Sequence, residues 1–149
     1  MINVTGISHI GVRVVDFYCS VSFYKELGFK VIRDDVEERV VVLKHASGVE
    51  LNLLDSVNFD NDGRNVLMDE TVRYPGFTHL ALTVDNVYES AHTIRLLGYQ
   101  ITEGPVTFGD GSTSVFFRDP DSNVIELSQP LQKSKKQFDI PTENKESQS

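Results

Sequence analysis

Apolar and polar residues alternate with period two along residues 7–15. Ile10, Val12 and Val14 fall on one side and His9, Gly11 and Arg13 on the other, the signature of a strand with one buried face. The period then lengthens: Phe17, Val21, Tyr24 and Leu27 recur at helical spacing. Asp16 or Ser20 can accept backbone N–H groups where that helix begins, and Gly28 can take the left-handed conformation that ends it. Phe29–Arg33, Arg39–Lys44 and Val49–Leu54 read as short strands, separated by turns at Asp34-Asp35 and Ala46-Ser47-Gly48.

The same order returns further along. His79–Val84 alternates, Asn86 with Glu89 three residues later forms a capping box, and Val87, Ala91, Ile94 and Leu97 make an apolar stripe. Tyr99–Glu103, Thr113–Arg118 and Val124–Ser128 are the following strands, with turns at Gly109-Asp-Gly111 and Asp119-Pro-Asp-Ser-Asn123. The two passes are copies of one unit. His9 is separated from Gly28 by the same interval that separates His79 from Gly98, and each helix stripe ends in Leu-Gly-aromatic. The prediction is an α+β fold of two βαβββ modules whose curved four-stranded sheets share one core, forming a paired, partly closed sheet. One domain spans residues 1–129: module one about 7–55, a linker about 56–76 punctuated by Asp60-Asn-Asp-Gly63 and Tyr74-Pro75-Gly76, and module two about 77–129. From 130 to 149 the chain turns polar and reads as a disordered tail.

Composition narrows the function classes. A hydrophobic content of 40% supports an ordinary core, while a net charge of −8 and a pI of about 4.9 argue against nucleic acid or an anionic membrane surface as partner. No apolar run approaches the roughly 20 residues a membrane span needs. The first residues carry neither a basic start nor a long apolar stretch, so no signal peptide is expected and a cytoplasmic location is predicted. A single cysteine, Cys19, cannot form an internal disulfide; its helical setting predicts a buried structural thiol.

Period two also decides where the charged strand residues point. Val49, Leu51 and Leu53 face one side of their strand and Glu50, Asn52 and Leu54 the other; Ile125 and Leu127 oppose Val124, Glu126 and Ser128. The apolar face suits covering helices. The opposite face is small and polar and carries His9, Glu50, His79 and Glu126. A lone strand histidine is usually a hydrogen-bonded core residue, and a lone glutamate usually lies at an exposed edge. Matched occurrence in two copies favours a shared role, because an unpaired carboxylate beside an apolar core is costly. Two imidazoles and two carboxylates suit a first-row divalent ion such as Zn, Ni, Co, Mn or Fe.

The best-matching stretches are His9-Ile-Gly-Val-Arg13, Phe23-Tyr-Lys-Glu-Leu-Gly28, His79-Leu-Ala-Leu-Thr-Val-Asp85, Gly104-Pro105 and Phe117-Arg-Asp-Pro-Asp121, continued by Ile125-Glu126-Leu127. Through them residues 7–129 resemble the vicinal oxygen chelate superfamily (glyoxalase, bleomycin resistance and dioxygenase proteins), and within it glyoxalase I, lactoylglutathione lyase. The resemblance implies metal ligands at His9, Glu50, His79 and Glu126, a homodimer, and lyase or isomerase action on an α-oxo-carbonyl thiol adduct such as a methylglyoxal hemithioacetal. It implies Glu126 as the catalytic base, with Glu50 the alternative. Epimerases of the superfamily usually carry glutamine at the place of Glu50, extradiol dioxygenases use three ligands, and bleomycin-binding relatives lack them; an epimerase, an Fe(II) dioxygenase or a non-catalytic binding protein are the competing readings. Arg13 stands where glyoxalase I has an arginine for the glutathione carboxylate, although a strand arginine paired with a nearby carboxylate is an equal reading. Leu54 replaces the asparagine that helps hold glutathione, so either glutathione is held differently or the thiol co-substrate is another one.

Overall fold

A computed structural model describes residues 1–56 and 63–132. The middle of the expected linker, 57–62, and most of the expected tail, 133–149, lie outside the described residues.

The element order is β1 (Ile10–Val14), α1 (Phe17–Glu26), β2 (Lys30–Asp35), β3 (Val40–Lys44), β4 (Glu50–Asp55), then β5 (His79–Thr83), α2 (Val87–Leu96), β6 (Glu103–Thr107), β7 (Thr113–Arg118) and β8 (Val124–Gln129). Each copy is therefore βαβββ, as the alternation predicts. The strands form two four-stranded sheets ordered β1-β4-β3-β2 and β5-β8-β7-β6. In each sheet the first strand joins the last in parallel, a pairing that requires the intervening helix as crossover. Both first strands, β1 and β5, are consequently edge strands.

The helices start and stop for local reasons. Asp16 caps α1 by accepting the Cys19 N–H at 3.1 Å, and Asn86 caps α2 by accepting from Tyr88 and Glu89 at 3.0 and 3.1 Å. Gly28 and Gly98, with φ of 93° and 91°, turn the chain out of each helix. One core joins the modules. Leu43, Leu51 and Leu53 of the first sheet and Val115, Phe117 and Ile125 of the second belong to the same buried cluster. Phe23 of α1 lies edge-on to Tyr99 at 4.9 Å and tilted against Phe117 at 6.0 Å, so α1 is packed into the second module. Fully burying one such ring contributes about 1.5–3 kcal/mol.

Three expectations are corrected. The turn expected at Asp34-Asp35 comes later: β2 runs through both residues, and the chain turns over 36–39. The strand expected at Tyr99–Glu103 starts only at Glu103. Tyr99 and Ile101 turn inward against the core, and the ladder to β7 is displaced between Glu103 and Val106. Cys19 is exposed, not buried, because α1 buries the face carrying Ser20, Phe23 and Tyr24.

The turn between β7 and β8 fastens the modules. Asp119 is 5% exposed and accepts four hydrogen bonds: from the Tyr24 hydroxyl at 2.8 Å, the Asp121 and Asn123 N–H groups at 2.9 and 2.8 Å, and Asn123 Nδ2 at 2.9 Å. Asp121 accepts from the Val15 N–H at 3.0 Å and Ser20 Oγ at 3.2 Å. Burial, opposed by these donors, raises the Asp119 pKa, and burial with the neighbouring carboxylate pushes the Tyr24 hydroxyl up. Between the ordinary carboxylate pKa and the raised folded one, the folded chain holds a proton on Asp119 more readily than the unfolded chain does. This contribution to stability is full below the ordinary carboxylate pKa and declines as pH rises through the folded value. On the far side of the interface Tyr99 donates to Glu26 at 2.6 Å; burial and that carboxylate push its hydroxyl up to about 12.

Tyr24→Phe keeps the ring and deletes one donor to a buried carboxylate. The expected loss is about 1–3 kcal/mol in urea unfolding; a change below about 0.5 kcal/mol contradicts the Tyr24–Asp119 contact as a fastening between modules.

Candidate functional site

The second module assembles its half of the site on the face opposite the core. His79 opens β5, and Glu126 lies on β8 level with Ala81. His79 Nε2 and Glu126 Oε2 are 2.9 Å apart, with side chains 36% and 12% exposed. The other carboxylate oxygen, Oε1, accepts 2.6 Å from the hydroxyl of fully buried Ser114 on β7. Phe116, opposite Glu126 in the ladder, places its ring edge-on to the imidazole at 6.1 Å. Thr78 Oγ1 lies 2.9 Å from His79 Nδ1. The imidazole is thus held from behind and its Nε2 is directed to the carboxylate.

The first module repeats the device in looser form. Ser8 Oγ is 3.1 Å from His9 Nδ1, the equivalent of the Thr78 contact. His9 immediately precedes β1, and the parallel register pairing Ile10 with Leu51 sets it level with Glu50. Glu50 Oε2 lies 3.5 Å from Lys44 Nζ across the β3–β4 ladder. His9 is exposed and Glu50 half-buried.

Only the second-module histidine and carboxylate touch, and the carboxylates do not stand at matched places: Glu126 is level with Ala81, while Asn52 is level with the equivalent Gly11 and Glu50 lies two residues earlier. Both histidines line one cavity of about 790 Å³ that also touches Arg13, Arg64, Leu67 and Phe77. Yet among the described residues no group of three or more His, Cys, Asp and Glu side chains is placed to hold a metal ion within the chain. Each module offers one imidazole and one carboxylate.

Arg13 has no carboxylate partner among the described residues. The Asp55 side chain is engaged by Arg39, and Arg13 Nη1 reaches only the Asp55 carbonyl, at 3.5 Å. Leu54 is 38% exposed beside Gly11, whose Cβ position would lie 3.7 Å from it. The end of the linker is also tied down. Arg118 grips Asp69 through two bonds of 2.8 and 3.1 Å, which holds the Asp69 carboxyl below its usual range, and Asn65 Nδ2 donates to the Ser122 carbonyl at 3.2 Å. Arg64, Asn65 and Leu67 are thereby brought to the cavity wall. Sequence reading missed Ser114 and this segment. Strand alternation could have put Ser114 on the face of Glu126, but only the β7–β8 register shows the contact.

Residues 6–127 match the Glyoxalase/Bleomycin resistance protein/Dioxygenase superfamily. The chain belongs to that superfamily. A lactoylglutathione lyase from Salmonella typhimurium is 30% identical over 139 residues, covering 80% of this chain and 88% of its own. Lactoylglutathione lyase from Arabidopsis thaliana is 29% identical over 133 residues, and this superfamily member spans 43% of its length and 43% of that of a Brassica oleracea relative. Among solved structures, a glyoxalase family protein from Enterococcus faecalis superposes with a TM-score of 0.69 at 26% identity, covering 83% of this chain and 97% of that one. A bleomycin resistance determinant encoded on the transposon Tn5 shares the fold, with a TM-score of 0.65 at 21% identity and coverage of 86% and 100%.

Ser114→Ala removes the buried hydroxyl that anchors Glu126. The expected result is a stability loss of about 1–3 kcal/mol by urea unfolding. A variant as stable as the parent chain contradicts Ser114 as the anchor of that carboxylate.

Proposed function

We propose that this superfamily member is a metal-dependent, glyoxalase I-like lyase acting on an α-oxo-carbonyl thiol adduct of the methylglyoxal hemithioacetal type. The observation carrying this reading is the pairing of His79 Nε2 with Glu126 Oε2 on a sheet face whose counterpart carries His9 and Glu50. The donor set fits a divalent ion. The hydroxyls at both Nδ1 atoms leave Nε2 as the outward nitrogen, and Ser114 engages only one oxygen of Glu126, so the other meets His79 Nε2 where both could face an ion. His9, Glu50, His79 and Glu126 would hold the ion. When bound, it polarises the oxygens of the substrate and acidifies the neighbouring C–H.

Two ligands per module are too few for the four a closed site uses. A second copy completes the set if its first module faces the second module of this one. Three features support a homodimer of that kind: the open edges of β1 and β5, the exposure of Ile7 (86%) and Phe77 (100%) at equivalent places on those edges, and the exposed histidines beside them.

Glu126 acts as the base. It takes the proton from the carbon that bears oxygen and sulfur and returns it to the adjacent carbonyl carbon. The hydroxyl proton passes between the two oxygens, and the product is a 2-hydroxy thioester with no net oxidation. Arg13, free of a carboxylate partner, binds an anionic group of the thiol half, and Leu54 presents apolar surface beside it. That surface disfavours a polar contact, so the thiol need not be glutathione.

Purified protein reconstituted with Ni, Zn, Co, Mn or Fe should hold close to one ion per chain. Glu126→Gln should keep measurable metal while losing roughly a hundredfold or more in hemithioacetal turnover, with a smaller loss for Glu50→Gln. Metal-free wild-type protein after reconstitution overturns the site. Full turnover in Glu126→Gln overturns the assignment of the base.

A further inference from the structure

The modules match position for position along their last hairpins. Lys44 with Glu50 closes β3–β4 as Arg118 with Val124 closes β7–β8. Each turn is spanned by one bond, His45 N–H to the Val49 carbonyl at 2.9 Å and Asp119 N–H to the Asn123 carbonyl at 3.0 Å. Glu50 therefore corresponds to Val124. The residue corresponding to Glu126 is Asn52. It is level with Gly11 on β1 and Val42 on β3, as Glu126 is level with Ala81 on β5 and Phe116 on β7. Its side chain lies on the face opposite the core, because Leu51 and Leu53 on either side of it belong to the buried cluster.

The two places differ in what backs them. Glu126 is anchored by Ser114 and meets His79. Val40 stands in β3 where Ser114 stands in β7, so no hydroxyl reaches Asn52 from behind. Asn52 Oδ1 is buried and accepts no hydrogen bond among the described residues. An amide oxygen buried without a donor costs stability, and such groups are rare unless a ligand supplies the donor. There is room for one beside it. A Cβ on Gly11 would meet only Leu54, at 3.7 Å, so β1 leaves a notch between His9 and Arg13. The carboxamide oxygen selects an O–H or N–H, and unlike Glu126 it cannot take a proton at neutral pH.

We propose that Asn52 binds the substrate: its Oδ1 accepts a hydrogen bond from the hydroxyl on the carbon that Glu126 deprotonates. This rests on the lyase reading and on sites shared between copies, with Asn52 coming from the copy that supplies His9. Corresponding places in the two modules then divide the work. Glu126 moves the proton, and Asn52 holds the hydroxyl and selects adducts that carry one.

The test removes the acceptor and the hydroxyl in turn. The full chain, loaded with zinc and its metal content measured, is titrated by calorimetry with mandelate, a 2-hydroxy acid, and with phenylacetate, the same body without the hydroxyl. The wild-type preference for mandelate should fall roughly tenfold in Asn52→Ala, the coupling expected for one hydrogen bond. In the metal-free chain Asn52→Val should raise the urea midpoint, because it removes an orphaned amide. A preference as large in Asn52→Ala as in wild type overturns the role of Asn52 and leaves the metal centre standing. Loss of zinc from Asn52→Ala makes Asn52 a ligand of the ion and overturns its role toward the substrate. A lowered midpoint in Asn52→Val shows that the fold itself uses the amide, and overturns the proposal. Wild-type chain that holds no zinc overturns the centre, and this role with it.

Discussion

A buried carboxylate cannot sit between two modules unless its hydrogen bonds are made, and Asp119 makes four of them. Two come from backbone N–H groups of its own turn and define the shape of that turn. The Tyr24 hydroxyl comes from the other module. With Asp121 reaching Val15 and Ser20, one short turn fixes α1 and the end of β1 relative to the second sheet. The aromatic contacts of Phe23 with Tyr99 and Phe117 can form only in that arrangement. Removing a partner there exposes a buried charge to an apolar setting, which costs more than the bond itself contributes.

The two modules differ in what their last turns carry, not in how far they reach. Both hairpins close alike, with the His45 N–H on the Val49 carbonyl and the Asp119 N–H on the Asn123 carbonyl, and only the second turn carries the carboxylates that bond α1. On the outer faces, symmetry holds for the histidines but not for the carboxylates, since Glu126 is level with Ala81 and Asn52, not Glu50, is level with Gly11. Each module keeps one imidazole with its Nδ1 held by a preceding hydroxyl, and each keeps one carboxylate on its last strand. The pair in the second module is the tighter, because buried Ser114 anchors Glu126, while Glu50 meets only an exposed lysine at 3.5 Å.

Much of this was legible in the sequence. Period-two alternation gave the faces of β1, β4, β5 and β8, and helical spacing with Asp16, Asn86, Gly28 and Gly98 gave both helices. The repeat itself pointed to His9, Glu50, His79 and Glu126. What failed was set by distant partners. The Tyr24–Asp119 bond spans 95 residues, and nothing local to either marks it. β6 starts late because Tyr99 and Ile101 turn into the core, a choice made by packing rather than by their strand propensity. Cys19 faces out because Ser20, Phe23 and Tyr24 fix the rotation of α1. Ser114 looked like an ordinary strand serine until the register placed it beneath Glu126.

We propose that two half-sites, one per module, become a functional site when two copies meet. Mixing two inactive chains tests it most directly. One carries His9→Ala with Glu50→Gln, the other His79→Ala with Glu126→Gln; the two are unfolded, refolded together and assayed for bound metal and hemithioacetal turnover. If sites are shared between copies, random pairing restores one intact site in each mixed dimer, about a quarter of the wild-type number. If every site lies within one chain, the mixture stays as inactive as either variant alone, and the claim is contradicted.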